Sequence, residues 1–557
     1  MAKWRTYIVL FLIICFAGGI VYQLINLQVY QQDYYSALAQ GQHNFFEEIK
    51  GERGEILAQQ KNGELIPLAT NNTWFLLFSC PNKIQDKEET ALKLSKIVDL
   101  EKEEILDKIL QDSSYIKLQK ELDKETAEKI RELELKGIYL SKKGGRYYPY
   151  DTLASNILGF VGAEHNKGQY GVEEAYNSLL KGERGLAKGV AARGYLLDSQ
   201  SADIKKGEDL ILTIDFNIQS VAEDLLKKAK EEYGAEGGSI TIMDPKTGKV
   251  LALATLPNFN PNKYEEYAKE KKMEVFQNSV TQKLYEPGSV FKPITMAAAL
   301  NEEKIKPDTT YIDEGSIKIN GWTIENYKGR KYGERTMTEV LKKSINTGAV
   351  FAQQKLDPGK FLEYIKSFGL FSKTEIGIPE TNSENIELQK ERGVNLATAS
   401  FGQGIEITPI QLLRAFSAIA NNGELVNPYL IKNYQNQKTK QIISGKTASK
   451  LTAMLVKVIK EGYGKKAQVP GYYIAGKTGT AQVPWSSIGI NKSGYSDKTW
   501  QSFIGFAPAF NPRFLILVKL NNPNTNSAEE SAAPTFKKMT EYLLNYYQVP
   551  PDYDQKN

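Results

Sequence analysis

A serine with a lysine three residues later, Ser289 and Lys292, stands in the run Glu286-Pro-Gly-Ser-Val-Phe-Lys-Pro293. Farther along come Ser344-Ile-Asn346 and Lys477-Thr-Gly479-Thr480. A serine hydroxyl is a useful nucleophile only when a base takes its proton. A lysine amine can be that base once burial or a neighbouring cation keeps it neutral. The chemistry these residues offer is acyl transfer through a serine ester. Pro287-Gly288 makes a turn, and Ile294-Thr-Met-Ala-Ala-Ala-Leu300 favours helix, so Ser289 belongs at a helix start. Lys292 then lies on the same face as Ser289. The helix N-terminus favours negative charge developing there.

The other two motifs supply partners for that pair. Ser344-Ile-Asn346 fits a loop or helix edge facing the nucleophile, between Thr338–Lys343 and Ala349–Ala352. There Ser344 can relay a proton, and Asn346 can hold a substrate peptide or Lys292. An ordinary polar turn fits the same residues equally well. Lys477 follows the strand-like run Tyr472–Gly476. Lys477, Thr478 and Thr480 can bind a terminal carboxylate, and Gly476 and Gly479 let substrate approach the backbone. The N–H groups of Ser289 and Thr480 can form an oxyanion hole.

Each pattern alone is weak, because each has a decoy. Ser-x-x-Lys recurs at Ser114/Lys117 and Ser178/Lys181, Ser-x-Asn at Ser383/Asn385, and Lys-Thr-Gly at Lys246/Gly248. The last sits in Asp244-Pro-Lys-Thr-Gly248, which has the chemistry of a hairpin turn. Gly471-Tyr-Tyr-Ile-Ala-Gly-Lys477-Thr478 also matches a phosphate-binding loop formally. Its aromatic and β-branched interior suits a strand better, and the Pro484 region gives no following helix. Order, spacing and context must separate signal from decoy.

Composition narrows the field. The 557 residues hold two histidines, His43 and His165, and none later, so a Ser-His-Asp triad within the C-terminal half is excluded. The two cysteines, Cys15 and Cys80, make no disulfide framework, and no zinc pattern is legible. A net charge of +5 spread over this length, without a long basic block, does not indicate nucleic acid. Lys3 and Arg5 precede an apolar run from Tyr7 to Ile25. As a helix, about 20 such residues span the ~30 Å hydrocarbon core of a bilayer. This predicts a cytoplasmic tail at 1–6, a single membrane anchor at 7–27 and an extracytoplasmic remainder.

The elements that must position the motifs follow. A pedestal over 28–205 carries amphipathic helices at Glu88–Leu110 and Lys117–Leu135. A second domain over 206–548 begins with a strand at Asp209–Ile214, a helix at Asn217–Lys230 and strands at Ser239–Met243 and Val250–Thr255; a short tail, 549–557, follows it. Thr408-Pro-Ile-Gln411 has the signature of a capped helix start. Strands at Ser502–Ala507 and Phe514–Leu520 precede a terminal amphipathic helix over Ser531–Tyr546. The polar stretch Trp485–Thr499 reads as a flexible rim. The fold class is α+β, an antiparallel sheet with a helical region.

The three motifs in this order resemble the penicillin-recognising serine acyltransferases. Tyr285–Ser289, Phe401-Gly-Gln-Gly404 with Thr408-Pro-x-Gln411, and Gly476–Gln482 resemble class B penicillin-binding proteins. So do Arg53-Gly54, Arg146 with Pro149, and Gly168-x-x-Gly171-x-Glu173. The run Ile56–Gly63 and the Tyr150-Asp151 pair depart from the family pattern.

The resemblance implies a penicillin-binding transpeptidase fold and a D,D-transpeptidase that crosslinks peptidoglycan. Ser289 would be acylated by a D-Ala-D-Ala stem peptide or by a β-lactam. Lys292 would be the base, Ser344 the relay and Asn346 a further catalytic contact, with Lys477, Thr478, Gly479 and Thr480 at the carboxylate. It implies no cofactor or metal, and a multi-spanning glycosyltransferase of the shape-elongation-division-sporulation family as partner. Ser-x-Asn and Ser502–Pro508 lean to the division-type, FtsI-like branch. The elongation type, and a β-lactamase or β-lactam sensor using the same serine, are the alternatives.

Overall fold

The computed structural model describes residues 45–113, 115–162, 167–192, 195–199, 205–432 and 439–554, with residues 4, 13 and 16–21. Most of the anchor run Tyr7–Ile25, and with it Cys15, lies outside the described residues, as do His43, Ser114 and His165. Among the described residues no helix is long and apolar enough to cross a membrane. The chain divides into two compact units, one of 1–55, 70–147 and 178–208, the other of 56–69, 148–177 and 209–557.

In the first unit, strand Leu65–Ser79 pairs antiparallel with Ile138–Tyr147 along Thr70–Ser79, and with Ile116–Leu122. Helices Lys87–Ser95, Lys102–Leu110 and Lys124–Glu132 close over it. Leu77, Leu94, Ile105, Ile109, Leu118 and Ile130 form the core. The two long helices expected here are thus corrected. Glu88–Leu110 is broken in two, because Ile97 and Val98 turn in against the core and the helix ends before them. Lys117–Leu135 begins as a strand. Ile116 and Leu118 alternate with polar residues at period two, and Asp123 starts the helix by accepting from Thr126 N–H. A further three-stranded sheet joins Phe45–Lys50, Arg184–Ala192 and Tyr195–Ser199.

The second unit is built on a five-stranded antiparallel sheet. Its elements are α1 (Phe216–Tyr233), β1 (Gly237–Met243), β2 (Val250–Leu256), α2 (Lys292–Asn301), α3 (Met337–Lys342), α4 (Asn346–Gln354), α5 (Pro409–Ala420), α6 (Gly445–Glu461), β3 (Ala475–Pro484), β4 (Tyr495–Ala507), β5 (Phe514–Asn521) and α7 (Ala532–Tyr546). The strand order is β2-β1-β5-β4-β3. One face, with Ile240, Ile242, Phe503, Ile516 and Val518, packs under α1 and α7 through Leu226, Phe536, Met539 and Leu543. Side chains alternate across a strand. The same register therefore sends Lys477, Gly479, Ser502 and Ile504 to the other face.

That other face meets the helical region. Helix α2 is buried from Lys292 to Leu300, apolar on every side, as a central helix must be. It packs against α4, α5 and α6. Helix α5 starts as its sequence predicts: Thr408 and Gln411 form a reciprocal capping box, with Pro409 at the first position. The Lys246 decoy is a turn. Asp244 accepts from Lys246 N–H, and the Gly248 N–H closes on the Asp244 carbonyl.

Candidate active site

The nucleophile's turn is assembled first. Gly288–Phe291 forms one 3-10 turn and leads directly into α2. Ser289 is half-buried, whereas Lys292 is completely buried. The sheet edge passes close by. A side chain on Gly479 would meet Ser502 Oγ at 2.8 Å, Val290 at 2.9 Å and the Pro287 carbonyl at 3.0 Å. Only glycine allows β3 to lie this near to Ser289.

Lys292 Nζ is the hub. It lies 3.0 Å from Ser289 Oγ, 2.6 Å from the Ser344 carbonyl, 2.8 Å from Asn346 Oδ1 and 3.2 Å from Ser344 Oγ. The carbonyl and the amide oxygen can only accept. They take two N–H groups, which is all that a neutral amine has, and this leaves its lone pair for the Ser289 hydroxyl. The Asn346 orientation is fixed on its other side, because Nδ2 donates to the Glu325 carbonyl at 3.0 Å.

Ser344 sits between α3 and α4 with φ of 53°, a left-handed backbone that a non-glycine residue rarely adopts. There it offers both its carbonyl and its hydroxyl to Lys292. The same hydroxyl accepts from Lys477 Nζ at 2.9 Å. Ser344 Oγ therefore bridges the two lysines. Lys477 also reaches the Thr478 carbonyl at 3.1 Å and, at 3.4 Å, Thr478 Oγ1.

Burial sets the electrostatics. It pushes the Lys292 ammonium well below its ordinary range, and the charge of Lys477 adds to the effect. Burial alone brings Lys477 down to about 7. Two buried lysines sharing one hydroxyl favour one proton fewer than two exposed ones would carry.

The structure thus brings together Ser289, Lys292, Ser344, Asn346 and Lys477. Lys477 to Thr480 lie inside β3 and not beyond a strand's end, since β3 runs from Ala475 to Pro484. Strand alternation separates Lys477 and Gly479 from Thr478 and Thr480, and the Thr480 hydroxyl accepts from Ala528 N–H at 3.0 Å. The segment expected to be a flexible rim is organised: Trp485–Ile488 forms a 3-10 turn, and β4 already begins at Tyr495.

Two supports were not legible as such. Asn326 Oδ1 accepts from the N–H groups of Asn346 and Thr347, and its Nδ2 donates to both oxygens of buried Asp313. This pair fixes the start of α4 and hence Asn346. In the sequence, the only available signal was an Asp and an Asn placed just before and just after the segments Ser316–Ile319 and Trp322–Glu325; their burial is seen only in the structure.

Fold and site together fit a serine acyltransferase, with a buried lysine in hydrogen-bond reach of the serine. Residues 238–541 match the penicillin binding protein transpeptidase domain, and residues 48–212 match the penicillin-binding protein dimerisation domain. The chain belongs to the penicillin-binding protein transpeptidase family, and is a serine-type transpeptidase of cell-wall synthesis. It is 34% identical to stage V sporulation protein D of Bacillus subtilis, over 85% of this chain and 74% of the relative. It is 30% identical to peptidoglycan D,D-transpeptidase FtsI of Buchnera aphidicola, over 86% and 83%. The crystal structure of penicillin binding protein 3 from Mycobacterium tuberculosis, complexed with aztreonam, aligns with a TM-score of 0.69 and 25% identity, covering 91% of this chain and 98% of that one.

Proposed function

We propose that this chain is a division-type peptidoglycan D,D-transpeptidase, held by one N-terminal span with its catalytic unit outside the cytoplasmic membrane. In this reading Ser289 Oγ attacks the carbonyl carbon of the penultimate D-alanine of a donor stem peptide. Its proton passes to neutral Lys292 as the C–O bond forms. The C–N bond then breaks, and the departing D-alanine amine takes a proton relayed through Ser344 Oγ. An acceptor amine on a neighbouring strand next attacks the ester and loses a proton to Lys292, which returns it to Ser289 Oγ as the C–O bond breaks. Protonated Lys477, with the Thr478 hydroxyl 3.4 Å from its Nζ, holds the donor's terminal carboxylate along the Gly479 edge of β3, where Thr480 serves through its backbone because its hydroxyl is bonded to the Ala528 N–H. The N–H groups of Ser289 and Thr480 take the oxyanion.

The observation that carries this reading is the Lys292 amine. Two acceptor-only oxygens hold it 3.0 Å from Ser289 Oγ, in complete burial. Ser-x-Asn and the similarity to the Buchnera FtsI support the division branch over the elongation branch. The pedestal over 28–205 and a partner glycosyltransferase of the shape-elongation-division-sporulation family belong to the same proposal. Incubation with a fluorescent penicillin tests it. A stable adduct, with crosslinking activity that disappears in Ser289→Ala, is expected. Rapid hydrolytic turnover of the drug would identify a β-lactamase instead.

A further inference from the structure

Three residues before Ser289 a carboxylate is buried that no step above employs. Glu286 is 6% exposed and makes no ion pair among the described residues. Its Oε1 accepts from the Gly404 N–H at 3.1 Å, and its Oε2 accepts from the Tyr495 hydroxyl at 2.9 Å. These two partners belong to two different segments. Gly404 lies in the loop between residue 401 and α5. Tyr495 opens β4, where it pairs with Pro484, the last residue of the strand that carries Lys477.

The loop grips the nucleophile's turn on both sides of Glu286. Tyr285 and Ile407 exchange backbone bonds at 2.9 and 3.1 Å, and the Gly288 N–H donates to the Gly402 carbonyl at 3.0 Å. A side chain on Gly402 would lie 2.2 Å from the Gly288 carbonyl, so the approach requires glycine. Tyr285 packs its ring on Trp500 in the middle of β4, but the Glu286 side chain is the group of this turn that hydrogen-bonds both the loop and the hairpin's turn end.

We propose that Glu286 is a positioning residue for the acylation of Ser289, tying the nucleophile's turn to the Gly402–Gly404 loop and to the turn end of the β3–β4 hairpin. Acylation needs Ser289 Oγ, its own N–H and β3 in fixed relation to within a fraction of an ångström. Backbone pairs hold the turn to the loop, but the hairpin end near Tyr495 is joined to the turn through this carboxylate. Burial, with Glu406 nearby, pushes Glu286 up to about 7, so it meets its two donors without a cation to compensate. A group kept at that cost in a functional site has a role that an apolar side chain of the same size would not fill.

This inference rests on the reading of Ser289 as the acylated residue, and Ser289→Ala tests that reading separately. Stopped-flow acylation of the full chain by a fluorescent penicillin separates the first-order step from the initial affinity. Glu286→Ala is expected to slow the first-order step about tenfold or more while affinity changes less than about threefold. Glu286→Gln keeps an acceptor for Gly404 and a partner for Tyr495, and is expected to restore the rate to within about threefold of the parent. Tyr495→Phe, at a partly exposed position where folding is not at risk, is expected to slow the step about threefold. An unchanged rate in both Glu286→Ala and Tyr495→Phe would overturn the proposal. So would Glu286→Gln acylating as slowly as Glu286→Ala with the parent's melting temperature.

Discussion

Ser178 and Lys181 have the same spacing as Ser289 and Lys292, and the two pairs have opposite fates. Ser178 ends up exposed in a single helical turn, Asn177–Leu180, with Lys181 exposed just beyond it. Ser289 enters a helix that is buried on every side, so Lys292 is carried inside with it. The lysine-threonine-glycine pair teaches the same lesson. Lys246 stands in a turn and donates to Asn511, whereas Lys477 lies within a buried strand and donates to Ser344. Spacing brings two groups together. Burial, and the acceptors that come with it, favour the neutral amine that a base must be.

This contrast can be broken by experiment, and the largest effect comes first. Ser289→Ala should abolish acylation by benzylpenicillin, a loss of at least about 1,000-fold, whereas Ser178→Ala should stay within twofold of the parent. Labelling that survived in the first and vanished in the second would reverse the comparison. Lys292→Ala should cost about 100- to 10,000-fold in acylation, while Lys181→Ala should change neither rate nor stability beyond about 0.5 kcal/mol. Retained acylation without Lys292 would require another base.

The pH dependence sharpens the same point. Lys292 is depressed by burial and by Lys477, so its neutral form survives to lower pH than that of an exposed lysine. Lys477 loses its charge as pH rises through about 7. For a β-lactam that bears a carboxylate, the second-order acylation constant should therefore climb on the acid side and fall above about 7. This constant reports the free enzyme. A rate still rising well above that pH would mean that Lys477 keeps its proton in the free protein. The smallest expected effect is structural. Gly479→Ala should destabilise the fold by about 1–3 kcal/mol in thermal unfolding, since its methyl must push aside Ser502, Val290 and the Pro287 carbonyl. Gly248→Ala belongs to the decoy turn, where the side chain meets the Asn427 carbonyl at 2.1 Å; it should also destabilise, but without slowing acylation per folded molecule.

Much of this was legible in the chain, for local reasons. The Thr408/Gln411 capping box, the Asp244 turn and the start of α2 are each specified by a few neighbouring residues. The left-handed Ser344 closes the end of α3, with its N–H on the Leu341 carbonyl and the Ile345 N–H on the Val340 carbonyl, but a serine where glycine is usual gave no signal of it; its bonds to Lys292 and Lys477 come from far off in sequence. Strand Ile116–Leu122 reads as helix because its lysines and glutamates suit a helix. Its pairing with Leu65–Ser79 overrides that preference. Glu286 could be quoted within its motif, but its role depends on Gly404 and Tyr495, and no spacing rule connects the three.

The central claim is that Ser289 alone is acylated, with Lys292 as its base. Mass spectrometry of the full chain after benzylpenicillin treatment, followed by peptide mapping, tests it most directly. One intact drug adduct per molecule on the peptide bearing Ser289, absent from Lys292→Ala at the same exposure, is the predicted result. An adduct on any other residue, or full labelling of Ser289 without Lys292, would contradict it.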